Sequence, residues 1–136
     1  MGWAQDADDG VEIMRNATDL NVLLRDRPEI EPDLLDTALV LTNQINKTAV
    51  ATCVAFDAQG DALGRGWVKI PGRGVRILLA SDLVNGFDFV GSIRCSARGE
   101  VFGSAFILGA GFSDTPVTNT YQWQQSRVHA QAVVSR

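Results

Sequence analysis

One histidine, two cysteines and no long apolar run mark this 136-residue chain first by what it lacks. The single histidine, His129, sits between small apolar residues and reads as a surface or edge-strand side chain. A catalytic triad needs a base positioned beside a nucleophile, and no serine here lies in a G-x-S-x-G elbow. Two well-separated cysteines and one histidine do not make a zinc ligand set of recognisable spacing. No phosphate-binding or dinucleotide-binding glycine fingerprint appears, because the glycines precede strand patterns rather than helices. No catalytic residue, metal or cofactor is therefore expected. Apolar runs all fall short of the roughly 18 residues of a membrane helix, so no membrane span is expected. The opening Met1-Gly2-Trp3-Ala4-Gln5-Asp6 lacks the basic-then-apolar order of a secretory leader. It equally fits a start placed before a mature chain, so it does not assign a compartment. A net charge of −4 argues against a nucleic-acid surface, which usually carries clustered basic charge.

What the chain does have is alternation. Alternate side chains of a strand face opposite ways, and from Lys47 to Leu108 that period recurs between turns. In Thr48–Phe56, Val50, Thr52, Val54 and Phe56 share one face, while Ala49, Ala51, Cys53 and Ala55 share the other. The larger side chains are expected in the core. Leu63–Ile70 and Val75–Ala80 follow, with Pro71-Gly72-Arg73-Gly74 between them read as a hairpin turn. Gly64-Arg65-Gly66 is read as a second turn or bulge. Phe89–Arg98 alternates most clearly, with Gly91, Ile93, Cys95 and Ala97 against Ser92, Arg94, Ser96 and Arg98. One face should be buried and one wet, as in many antiparallel sheets. Val101–Leu108 has a mixed pattern that predicts burial on both faces. Glycine or proline every 8–12 residues or so is the spacing of a sandwich or barrel.

The flanks complete the domain. Leu34–Ile45 predicts its first strand, Val117–Trp123 an amphipathic strand and Val128–Val134 the last one. Ser81–Asp88 reads as a connection, with Asn85-Gly86 a turn signal. Residues 1–36 read as an extension, with residues 37–136 forming the domain. Asp6-Ala7-Asp8-Asp9-Gly10 is a solvated acidic opening. Val11–Arg25 is either partly helical or an extended segment lying on the domain. Arg25–Pro32 is a linker, because its prolines force extended or turn conformations before them. The predicted fold is a single antiparallel β-sandwich of about 7–8 strands with an irregular or partly helical N-terminal extension.

Cys53 and Cys95 each fall inside a predicted strand. They are either a disulfide joining two strands or two buried thiols. A disulfide would place the chain in an oxidising compartment: periplasm, cell surface or extracellular space. Trp67, Tyr121 and Trp123 are candidate contact residues, since exposed aromatics on a sheet stack on sugars or anchor partners. Core packing is the competing reading for them. Arg65, Arg73, Arg76, Arg94 and Arg98 form a basic group in an acidic protein, and Arg94 and Arg98 point the same way. They form either a solvated face or a site for an anionic partner. Asp57, Asp61, Asp82, Asp88 and Asp114 all lie in predicted loops, where they serve turns or, paired, would do acid–base work.

The run Asn46–Gly60, with Gly72–Ile77 and Gly91–Ser96, resembles immunoglobulin-like β-sandwich modules of bacterial surface and periplasmic proteins. In those modules, too, an Asp-x-x-Gly turn joins paired strands. The resemblance covers roughly residues 37–110 and implies adhesion, assembly or scaffolding. Trp67 loosely matches the tryptophan that lies between two cysteines in antibody domains. The expected function is a non-catalytic, extracytoplasmic structural or protein-interaction module. Its N-terminal extension would add to an exposed sheet edge of a neighbour. The alternative is a carbohydrate- or small-ligand-binding module using the exposed aromatics. A small enzyme built on loop carboxylates ranks last.

Overall fold

A computed structural model describes residues 11–13, 35–109 and 113–135. The strands are β1 (Val11–Glu12), β2 (Asp36–Asn43), β3 (Ala49–Asp57), β4 (Ala62–Ile70) and β5 (Val75–Leu79), followed by a short helix, α1 (Ala80–Leu83). After it come β6 (Phe89–Arg98), β7 (Val101–Leu108), β8 (Ser113–Thr115), β9 (Val117–Gln122) and β10 (Gln125–Val134). They form a β-sandwich. The larger sheet has the order β1-β4-β3-β6-β10-β9, and the smaller has β5-β2-β7-β8. All pairings are antiparallel except that of β1 with β4. The all-β sandwich expected from alternation is the fold found. Among the described residues there are ten strands rather than seven or eight, the additions being the very short β1 and β8.

The two sheets meet through unlike surfaces. The larger sheet turns small residues inward: Ala49, Ala51, Cys53 and Ala55 of β3, Cys95 and Ala97 of β6, and Ala130 and Ala132 of β10 are all buried. The smaller sheet opposes them with Leu39, Leu41 and Leu78, all fully buried. Large against small is how facing layers interdigitate at native density. This corrects the expected orientation of β3: Val50, Thr52, Val54 and Phe56 face outward and are only partly buried. The Ala/Cys face is the core face because the leucines across the sandwich fill the space it leaves.

Other expectations are revised or narrowed. Pro71–Gly74 is not a hairpin, since β4 lies in the larger sheet and β5 in the smaller, so the chain crosses between sheets there. Asn43 pins the crossing, donating from Nδ2 to the carbonyls of Lys47 (2.6 Å), Ile70 (3.3 Å) and Pro71 (3.2 Å). Gly64 and Gly66 lie within β4, whose pairing with β3 shifts register beside Gly64, so of the two readings the bulge fits and the turn does not. A Cβ on Gly64 would lie 2.1 Å from the Leu83 carbonyl oxygen, so glycine there lets α1 approach the strand. β7 is not buried on both faces, as Phe102 is 40% exposed. The expected connection at Ser81–Asp88 begins with the single helical turn of α1, where the Leu79 N–H donates to Asp82 Oδ2 at 3.3 Å.

Part of the N-terminal extension joins the sandwich. Val11 and Glu12 pair with Gly66 and Trp67 at the β4 edge, and Ile13 is buried in the main core cluster. The acidic opening, the remainder of Val11–Arg25 and the Arg25–Pro32 linker lie outside the described residues. Polar stitches hold the two sheets together. The Thr37 hydroxyl donates to the Val133 carbonyl at 3.0 Å and accepts from the Val133 N–H at 2.8 Å. Asn119 of β9 bonds to Val101 and Gly103 of β7.

Candidate functional site

Alternation on the two middle strands of the larger sheet builds the site. On β6, Ile93, Cys95 and Ala97 are buried, which sends Arg94, Ser96 and Arg98 outward. On β10, Ser126, Val128 and Ala130 are buried, which sends Gln125, Arg127 and His129 outward. Register then sets neighbours: Arg94 lies opposite His129, Ser96 opposite Arg127 and Arg98 opposite Gln125. Across β10, Thr118 of β9 faces His129 and Thr120 faces Arg127. Thr52 and Val54 of β3 lie beside Ser96 and Arg94. All of these outward side chains except Val54 border an open concavity of about 640 Å³ on the outward face of the larger sheet.

The face is cationic in a chain of net charge −4. Arg65 and Lys69 of β4 extend the positive surface beyond β3. The outward positions of β3, β6, β9 and β10 carry no aspartate or glutamate. Glu12, paired in register with Trp67 on β1 at the far edge, is the acidic residue on the described strands of this face. Two of the cations lie over rings: Arg94 is 5.1 Å from the Phe56 ring centroid and Lys69 is 5.8 Å from that of Trp67. Each pair gains a cation–π attraction, and each cation covers a ring that the sheet face would otherwise present.

The sequence-derived contact residues separate into three places. Arg94 and Arg98 border the concavity, side by side with Arg127 as described. Trp67 is outward by register, opposite Thr52, but only 8% exposed. Tyr121 and Trp123 lie at the β9–β10 corner, 43% and 87% exposed. With β3, β6 and β10 between β4 and β9, Trp67 does not share a platform with that corner. Tyr121 instead packs edge-to-face on Phe102, centroids 5.2 Å apart. Its phenol is raised above the usual tyrosine range by burial, an effect opposed by its hydrogen bond with Ser126 and reinforced by Glu100.

The other basic residues disperse. Arg73 lies in the β4–β5 crossing, and Arg76 is on β5 of the smaller sheet, donating to its neighbour Val75's carbonyl at 2.8 Å. Of the loop carboxylates, Asp57 accepts from the N–H groups of Gln59 and Asp61, each at 2.9 Å, and so shapes its own turn. Asp82 accepts from the N–H of Leu79, the residue that caps the start of α1. Cys53 and Cys95 are directly opposite in register and form a disulfide, Cα atoms 4.0 Å apart. It joins neighbouring strands of one sheet on the inner side, directly beneath the cationic face. Antibody domains instead bridge their two sheets.

Sequence reasoning passed over Arg127 and Lys69, and read His129 as a surface or edge-strand residue; it is exposed, but β10 lies between β6 and β9 rather than at an edge. Their signal was present in the same alternation: Arg127, His129 and Gln131 occupy the positions between Val128, Ala130 and Ala132. What linear sequence does not contain is the pairing of β10 with β6, which turns two separate stripes into one patch. No protein-family model, curated protein or solved structure matches the chain.

Proposed function

We propose that this chain is a non-catalytic, extracytoplasmic binding module that holds an anionic partner against the outward face of its larger sheet. The observation that carries the reading is the convergence of Arg94, Arg98, Arg127 and His129 on one concave, acid-free region of an acidic protein. Guanidinium groups offer paired donors that match carboxylates, sulfates and phosphates. Neighbouring Ser96, Thr118, Thr120 and Gln125 supply neutral hydrogen-bonding groups around them. The disulfide supports an oxidising compartment, where such bonds persist. Holding a partner on a rigid sandwich is also the role that a likeness to immunoglobulin-like surface modules implies.

The test is retention on immobilised polyanions at low ionic strength, comparing the wild-type chain with an Arg94→Ala/Arg98→Ala/Arg127→Ala variant. Wild-type retention that is lost in the variant is the expected result. Equal behaviour of the two proteins on every matrix would discard the reading.

A second reading rests on a different observation, the aromatic corner. Trp123 is 87% exposed two residues after Tyr121, whose ring packs on Phe102, and exposed aromatics of this kind anchor protein partners. In that reading the module associates with a protein, including a second copy of itself. Sedimentation of the full chain across a concentration series tests the self-association form. A monomer at every concentration, unchanged by Trp123→Ala, would remove it.

A further inference from the structure

Resting on the reading of the larger sheet's face as an anion site, we infer that its ligand is an acidic polysaccharide, a chain of sugars bearing carboxylate or sulfate groups. Spread is the first argument. Arg94 and Arg98 stand four residues apart on β6, which is about 13 Å at ~3.3 Å per residue. Arg127 is on the neighbouring strand at the register halfway between them, opposite Ser96. One compact anion does not span that row. A ligand that engages all three guanidinium groups carries several charges in sequence.

The second argument concerns which polymer. A peptide bound in extended form takes much of its affinity from main-chain hydrogen bonds at a free sheet edge. Here the cations stand on β6 and β10, each paired with strands on both sides, so recognition on this face is by side chains alone. A single-stranded nucleic acid is held by rings on which its bases stack. The rings on this face are Phe56, with Arg94 over it, and Trp67, which is 8% exposed. What the face does present between its cations is Ser96, Thr118, Thr120 and Gln125, groups that donate to and accept from hydroxyls. Hydroxyls alternating with anions are the chemistry of an acidic glycan.

The experiment is solution binding of the full chain, disulfide intact, to four probes: polygalacturonate, dextran sulfate, poly-glutamate and an oligothymidylate. Neutral dextran serves as the control. The expected result is binding to one or both acidic polysaccharides at least tenfold tighter than to poly-glutamate or the oligonucleotide. Arg98→Ala/Arg127→Ala should weaken it roughly 10- to 100-fold, the range for losing charge-assisted hydrogen bonds. Arg98→Lys/Arg127→Lys, which keeps the charge, should recover only part of the loss, because the planar fork is gone. Equal binding to poly-glutamate or the oligonucleotide overturns the polysaccharide assignment while leaving an anion-binding face. Binding to none of the four overturns both. Polysaccharide binding that the alanine pair leaves unchanged places the ligand elsewhere and also overturns the inference.

Discussion

The two sheets differ most on the sides they turn away from each other. The outward face of the larger sheet exposes Arg94, Ser96, Arg98, Arg127 and His129. On the smaller sheet the corresponding side carries Ala38, Ile77, Leu79 and Leu108, all buried as a second apolar cluster with Val40 packed against them. The smaller sheet is therefore apolar on both faces, and β2 is buried on both. The larger sheet's inner face sets six alanines among Val68, Ile70, Ile93 and Val128, and its outward face mixes the cations with Val50, Val54 and the buried Trp67. Burial free energy scales with apolar area, at roughly 25 cal/mol per Å². The smaller sheet thus gains from two apolar faces, and the larger chiefly from its inner one. This division leaves the larger sheet's outward side free to carry charge without weakening the core.

The comparison makes the cross-link the largest expected effect. Replacing both Cys53 and Cys95 by alanine removes a constraint across a sequence separation of 42 residues. In the chain-entropy account that is roughly 4 kcal/mol, and urea unfolding of the double variant against the oxidised wild type measures it. A loss under about 1 kcal/mol would mean that the alanine-rich sheet holds itself together. Next in size is Leu79→Ala, in the apolar cluster on the far side of the smaller sheet. Leu79 is fully buried, and truncating a buried leucine costs about 2–5 kcal/mol. If its midpoint in urea moved no more than that of a surface variant, the two outward faces would be energetically alike and the contrast would fail.

The fold class was legible because alternation is a local property that survives without knowledge of pairing. Ile93, Cys95 and Ala97 against Arg94, Ser96 and Arg98 needed only the period of a strand. Direction is not legible for β3, because side-chain size alone does not decide which of its faces is buried. Val50, Val54 and Phe56 are larger than Ala51, Cys53 and Ala55, yet the smaller set is inside because of Leu39 and Leu41 on another strand. The β4–β5 crossing was missed for a related reason. Pro-Gly-Arg-Gly satisfies the backbone demands of a hairpin and of a passage between sheets equally well. Half of the candidate site, Arg94 and Arg98, followed from one strand. Arg127 and His129 required the β6–β10 register, a contact between segments about 30 residues apart.

A smaller effect is expected at the crossing that separates the sheets. The buried Asn43 side chain bonds three carbonyls and accepts from the Ile45 N–H at 3.1 Å. Asn43→Ala strips those groups of their partner, at about 1–3 kcal/mol for buried polar atoms left unsatisfied. Thermal unfolding of this variant would count against a pinning role if it matched the wild type.

The smallest effect is the one that separates holding the fold from holding a ligand. Arg98 and Arg127 are exposed, Arg127 between the buried Ser126 and Val128 and Arg98 after the buried Ala97. Surface substitutions away from caps, cavities and networks stay within about 0.5 kcal/mol. Arg98→Ala/Arg127→Ala should therefore unfold in urea close to the wild type while losing retention on polyanions. A variant that lost both stability and retention in step would show the arginines to be part of the scaffold, and the division of labour between the two outward faces would be wrong. A variant that lost retention alone would set this face opposite Leu79's in function as well as in composition.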